Sequence, residues 1–202
     1  MRTILIITTV ALLASASSAG EIPVADPASV GMSAEGLERL TAATQEFVDE
    51  GRFPGVLTMV GRNGRIVHVS AVGRRGAEDD RPLTEDALFR IYSMTKPITA
   101  VAAMMLYEDG VLRLDDPVAE VVPELAELEV LGFGLVTALG EEGVGSVGEY
   151  SWGGAAGTVF WIDPVEEIVV IGMVQLMASP WPLREKLKAL TYEAITERAA
   201  PG

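Results

Sequence analysis

Pro97 and the apolar run Ile98 to Leu106 constrain this chain more than any other stretch, because a run so placed reads as a helix that needs something to pack against. Pro97 suits the first helical turn, where its missing N–H costs nothing, and Gly110 suits the far end. The helix is expected to be buried. At its entrance stand Ser93 and Lys96, whose spacing puts a hydroxyl and an amine one turn apart on the same face. The amine can then take the hydroxyl proton, which makes Ser93 a candidate nucleophile and Lys96 its base, at the positive end of the helix dipole. With ten Ser and three Lys in 202 residues, chance yields such a pair in roughly one chain in seven, so the flanking sequence has to carry the argument further.

The other elements alternate between helix and strand. Ser33 can cap a helix whose apolar residues Leu37, Leu40, Phe47 and Val48 keep helical spacing, and Gly51 with Pro54 ends it. Two strands follow, Val56 to Val60 and Ile66 to Val72, joined by Asn63-Gly64, a strong two-residue hairpin signal. A charged loop at Glu78 to Arg81 precedes the Ser93 helix. Two further strands, Thr158 to Ile162 and Ile168 to Val174, flank the Asp163-Pro164 turn, and a last helix runs from about Leu183 to Arg198. The expected class is α+β, an antiparallel β-sheet flanked by helices.

Residues 1–19 carry Arg2, an apolar stretch from Ile4 to Leu13, and the small residues Ser17 and Ala19 at a plausible cleavage site. They read as a signal peptide too short to be a membrane span, so residues 20–202 are expected to be exported, periplasmic or secreted, as one domain. The net charge of −14 excludes a nucleic-acid binder, and the absence of cysteine excludes a disulfide framework or a thiolate metal site. His68 is the only histidine, on the strand face of Ile66 and Ser70; with no motif beside it, it reads as a surface residue rather than the base of a Ser-His-Asp set. Asp115-Asp116 and the Glu-rich stretch Glu124 to Glu129 lack ligand spacing and read as solvated acidic loops, so no metal or cofactor is expected. Gly143, Gly145 and Gly148 spell G-x-G-x-x-G, but no helix clearly opens after them, which favours a turn over a nucleotide site. Val130 to Leu139 is too short to cross a bilayer and reads as a core strand.

Two blocks in order carry a resemblance. Tyr92-Ser93-Met94-Thr95-Lys96-Pro97, with its helix through Tyr107-Glu108-Asp109-Gly110 and on into Leu112-Arg113-Leu114-Asp115-Asp116-Pro117, is one. The other is Gly148 to Thr158, centred on Trp152-Gly153-Gly154 and running into Val159-Phe160-Trp161-Ile162-Asp163-Pro164. Together they resemble the serine β-lactamase and penicillin-binding-protein superfamily, most closely its class C-like esterase branch, over roughly residues 24–122 and 131–199.

That resemblance implies a serine hydrolase working through an acyl-enzyme on Ser93, with Lys96 as base. Trp152-Gly153-Gly154 stands where penicillin-recognising members have Lys-Thr-Gly, and a backbone N–H there would join that of Ser93 in an oxyanion hole. Trp152 replaces the cation that holds a substrate carboxylate, which tips the expected substrate from β-lactams toward simple esters. The family's second motif, Tyr-x-Asn or Ser-x-Asn, is absent, since the one asparagine is Asn63 in the hairpin. Tyr150 is left as the candidate stand-in for the proton shuttle. Only seven residues separate Pro123 from Leu131, so the helical subdomain that would wall the pocket is expected to be missing. The inner faces around Ile98 to Leu106 would then be exposed unless the chain dimerises. The alternative implied by the same departure is a catalytically degenerate relative serving as a binding module or without activity.

Overall fold

The computed structural model describes residues 21–113, 144–146 and 148–199. The expected signal peptide, Asp115-Asp116, the Pro123 to Leu131 stretch with its Glu-rich run, the Val130 to Leu139 strand and Gly143 lie outside the described residues.

Helix α1 (Ala34–Asp49) starts where Ser33 Oγ accepts the Gly36 N–H at 3.0 Å, and it buries Leu37, Leu40, Thr44 and Phe47 along one face. The chain then forms the hairpin of β1 (Gly55–Arg62) and β2 (Arg65–Gly76). Asn63 at φ 51° and Gly64 at φ 68° supply the paired left-handed backbone that matches the twist of the two strands. The charged stretch expected to be a loop forms a short strand instead, β3 (Asp79–Pro82), paired with the end of β2. Its charges point to solvent, where Arg81 pairs with Asp79 at 2.6 Å and Arg74 pairs with Asp80, the composition of a protected edge.

Helix α2 (Thr95–Glu108) follows, and then β4 (Tyr150–Gly153), β5 (Val159–Asp163), β6 (Ile168–Met173) and α3 (Leu183–Glu193). The six strands form one antiparallel sheet in the order β3-β2-β1-β6-β5-β4. Helix α3 ends five residues before the expected Arg198, because the chain is drawn into backbone pairing with the segment before α1. Ile195 bridges to Met32, and the N–H groups of Thr196 and Glu197 donate to Gly31 O. Among the described residues no helix is long and apolar enough to cross a membrane.

The core lies between one face of the sheet and the pair α1 and α3, with Val56, Val60, Trp161, Ile168 and Val170 facing Leu37, Leu40 and Leu187. Buried Arg62 closes one end. It pairs with Glu166 at 2.9 Å and donates to the carbonyls of Val30, Gly31 and Glu197, which ties both ends of the domain to β1.

Helix α2 departs from the expectation of burial. None of its residues is buried, and Ile98 and Val101 are 62% and 61% exposed. The reason is topological: α1 and α3 pack on the strands of the sheet, whereas the main element contact of α2 among the described residues is with the Tyr92–Met94 turn that leads into it.

Candidate active site

A short 3-10 turn, Tyr92–Met94, leads directly into α2 and places Ser93 at the head of the helix. Lys96, one turn on, donates from Nζ to Ser93 Oγ at 3.1 Å. With the amine neutral, this contact is the path along which the hydroxyl proton would move. Pro97 stands in the first turn as expected. Tyr92 has φ 45°, left-handed backbone that is uncommon for a residue with a large side chain.

The turn lies against the end of β4. Ile91 O approaches Gly154 so closely that a Cβ at that position would sit 2.5 Å from it and 2.2 Å from Thr158 Oγ1. Gly154 is therefore the space into which the Ser93 turn packs. Its N–H donates to Thr158 O at 2.8 Å, so that donor is already engaged. Since hydrogen-bonded pairs alternate along an antiparallel ladder, the Gly154–Thr158 bond makes Gly153 a non-bonded position opposite Val159. The Gly153 N–H then points away from β5, toward the open edge of the described sheet.

Trp152 and Gly154 share one strand face, the face away from α3. Trp152 is half-buried beside its ladder partner Phe160, and among the described residues its indole N–H has no partner. Tyr150 lies on the same face and is 42% exposed, but it opens β4, four residues and about 13 Å along the strand before Gly154. The structure thus brings together Ser93, Lys96 and the end of β4, and leaves Tyr150 at the strand's other end. His68 is on β2, with β1, β6 and β5 between it and β4. It shares a hydrogen bond with Thr58 Oγ1 at 3.3 Å, and burial lowers its pKa. It cannot serve Ser93. Among the described residues no group of His, Cys, Asp and Glu side chains is arranged to hold a metal ion.

Sequence reasoning missed how β4 is held from behind. Arg184, Lys188 and Tyr192 stand at i, i+4 and i+8 on α3 and reach the strand in a row. Arg184 donates to Ser151 Oγ, Lys188 pairs with Glu149 at 2.8 Å, and Tyr192 OH lies 3.0 Å from Glu149 and 2.6 Å from Asp163. Burial, the hydrogen bond to Asp163 and the two nearby carboxylates push the Tyr192 phenol well above its ordinary pKa. Burial also opposes charge on Asp163, yet bonds from Tyr192, the Glu166 N–H, Ser146 and the Val165 N–H together hold its carboxyl below the usual value. A polar stripe at helical spacing was the available signal. A cleft of about 300 Å³ opens on this α3 side, lined by Gly153, Ala155, Trp181 and Arg184 among others; Ser93 and Lys96 do not line it.

The profile of the beta-lactamase family matches residues 40–137. The chain is 40% identical over 100 residues to the esterase EstB of Burkholderia gladioli, which covers 49% of this chain and 26% of EstB. It is 34% identical over 103 residues to the serine beta-lactamase-like protein LACTB, mitochondrial, of Mus musculus, covering 49% of this chain and 19% of that one. The chain thus spans about a quarter or less of the length of these relatives. Among solved structures, EstCE1, a hydrolase with promiscuous acyltransferase activity, superposes with a TM-score of 0.68 at 13% identity, covering 78% of this chain and 99% of that one. The last likeness shows the shared fold.

Proposed function

This chain belongs to the serine β-lactamase and penicillin-binding-protein superfamily, and from that premise we propose that it hydrolyses small-molecule esters through an acyl-enzyme on Ser93. The observation that carries the reading is the 3.1 Å contact between Lys96 Nζ and Ser93 Oγ at the head of α2. Lys96 takes the hydroxyl proton as Oγ attacks the ester carbonyl, and returns it to the departing alcohol. Water then attacks the acyl group with Lys96 again as base, releasing the acid and restoring Ser93. The oxyanion is met by the Ser93 N–H and, since the Gly154 N–H is engaged, by the outward N–H of Gly153. Tyr150, the candidate stand-in for the proton shuttle, lies at the other end of β4 and takes no part in these steps.

Trp152 sets the substrate class. An indole in place of a cation offers no anchor for a carboxylate, so short esters are preferred to β-lactams. Trp152→Lys is expected to narrow that preference. The same acyl-enzyme would also pass its acyl group to an alcohol in place of water. Export belongs to the same proposal; it predicts that protein recovered outside the cytoplasm begins at Gly20.

The test is labelling by a fluorophosphonate, read by mass spectrometry. Wild type is expected to carry the adduct on Ser93 and Ser93→Ala to carry none; labelling that persists in Ser93→Ala rejects the assignment. A second reading, a degenerate binding module, draws on the bare apolar surface of α2. It predicts no adduct at all, and dimerisation through α2 would show by sedimentation.

A further inference from the structure

We propose that Gln175 is a positioning residue for Ser93, fixing the backbone that leads into the nucleophile turn by gripping both polar groups of Arg90. The inference rests on the acyl-enzyme reading above. Gln175 Oε1 accepts the Arg90 N–H at 3.3 Å, and Nε2 donates to Arg90 O at 3.1 Å. A side-chain amide here imitates a neighbouring strand. Because it meets a donor and an acceptor of the same residue, it sets orientation as well as distance.

The grip comes from a rigid frame. Gln175 directly follows the fully buried Val174, whose carbonyl accepts a second bond from Gln175 Nε2 at 2.8 Å. On the other side, the Leu176 N–H donates to Ala156 O at 3.0 Å, tying the segment to the β4–β5 turn. The gripped residue is three positions before Ser93. Between them, Ile91 O accepts the Met94 N–H at 3.0 Å and Thr158 Oγ1 at 3.5 Å, and packs into the space left by Gly154.

Something must hold this turn, since Tyr92 keeps φ 45° and such backbone persists only where its surroundings over-determine it. Helix α2 does little of that work, with none of its residues buried. The sheet supplies the tie points, and among the described residues Gln175 holds Arg90 by two bonds. Loosening it lets Ser93 Oγ wander from the line of attack, and a misplacement of about 1 Å costs on the order of 10²-fold in rate.

The experiment measures fluorophosphonate labelling rates at Ser93 in wild type, Gln175→Leu and Gln175→Glu, together with hydrogen exchange at the Arg90 and Met94 amides and thermal unfolding. Gln175→Leu keeps the bulk and loses both bonds, so labelling is expected to fall about 10- to 100-fold. Gln175→Glu keeps the acceptor alone and falls between the two. Exchange at both amides quickens in Gln175→Leu, while Arg90 stays the better protected in Gln175→Glu. A merely structural role would lower the unfolding temperature without this graded loss in folded protein. Wild-type labelling by Gln175→Leu overturns the proposal and leaves the acyl-enzyme reading intact; if Gln175→Leu does not fold, a wild-type rate in Gln175→Glu does the same. An unlabelled wild type overturns both.

Discussion

On the side of the sheet covered by α1 and α3, Leu40, Trp161, Ile168 and Leu187 are sealed from water and even the ion pairs Arg62–Glu166 and Lys188–Glu149 are buried. On the side that carries Ser93, Ile98, Val101, Met105 and Leu106 of α2 face solvent. Burying a Leu or Ile side chain is worth about 1.5–3 kcal/mol, so the first side gains repeatedly what the second does not. A helix of α2's length is marginal without packing, and α2 depends on its ends: the Ser93 turn at one, and at the other the Val111 N–H bonded to Leu106 O. The contrast teaches that stability and candidate chemistry sit on opposite faces of one sheet. They should respond to different mutations.

The largest separation is expected from Lys96→Ala, which slows Ser93 labelling by roughly 10² to 10⁴ through loss of the general base. Its unfolding temperature should match wild type, since Lys96 is exposed; an unchanged labelling rate would remove Lys96 from the mechanism. Leu187→Ala probes the opposite face and is expected to cost about 2–5 kcal/mol in urea denaturation. Labelling of the folded fraction should persist. Gly154→Ala joins the two sides, because its Cβ would collide with Thr158 and the Ile91 carbonyl. It is expected to destabilise by about 1–3 kcal/mol and to lower the labelling rate as the Ser93 turn shifts. Full activity there would show that the turn tolerates displacement.

A smaller effect belongs to pH. The Asp163 carboxyl is held below its usual value, so the stability it confers is present above about pH 3.9 and is lost as pH falls through the lower folded value. Thermal unfolding of wild type from pH 6 down to pH 2 should therefore fall more steeply than that of Asp163→Asn. Parallel curves would contradict the role given to the Tyr192 cluster. Smallest of all, Val101→Ala on α2 is expected to change stability by no more than about 0.5 kcal/mol. A loss rivalling Leu187→Ala would mean that α2 is covered in solution, and the comparison of the two faces would break.

Local chemistry was enough to read much of this molecule. The Ser33 cap, the Asn63-Gly64 turn, the strands on either side of Asp163-Pro164 and the one-turn spacing of Ser93 and Lys96 each depend on neighbours within a few residues, so the sequence alone determined them. What it left open was decided by partners far along the chain. Asp79–Pro82 is a strand because the end of β2 offers it a ladder, and α3 stops at Glu193 because Gly31 and Met32 claim the backbone beyond it. Glu149 and Asp163 lie 39 and 29 residues from the α3 side chains they bond, and Gln175 lies 85 from Arg90. The apolar run Ile98 to Leu106 marked a helix correctly, but whether it was buried depended on which sheet face α1 and α3 would cover. Periodicity encodes an element and its apolar face; the neighbour that face meets is set by long-range pairing of β1 with β6, which no local pattern records.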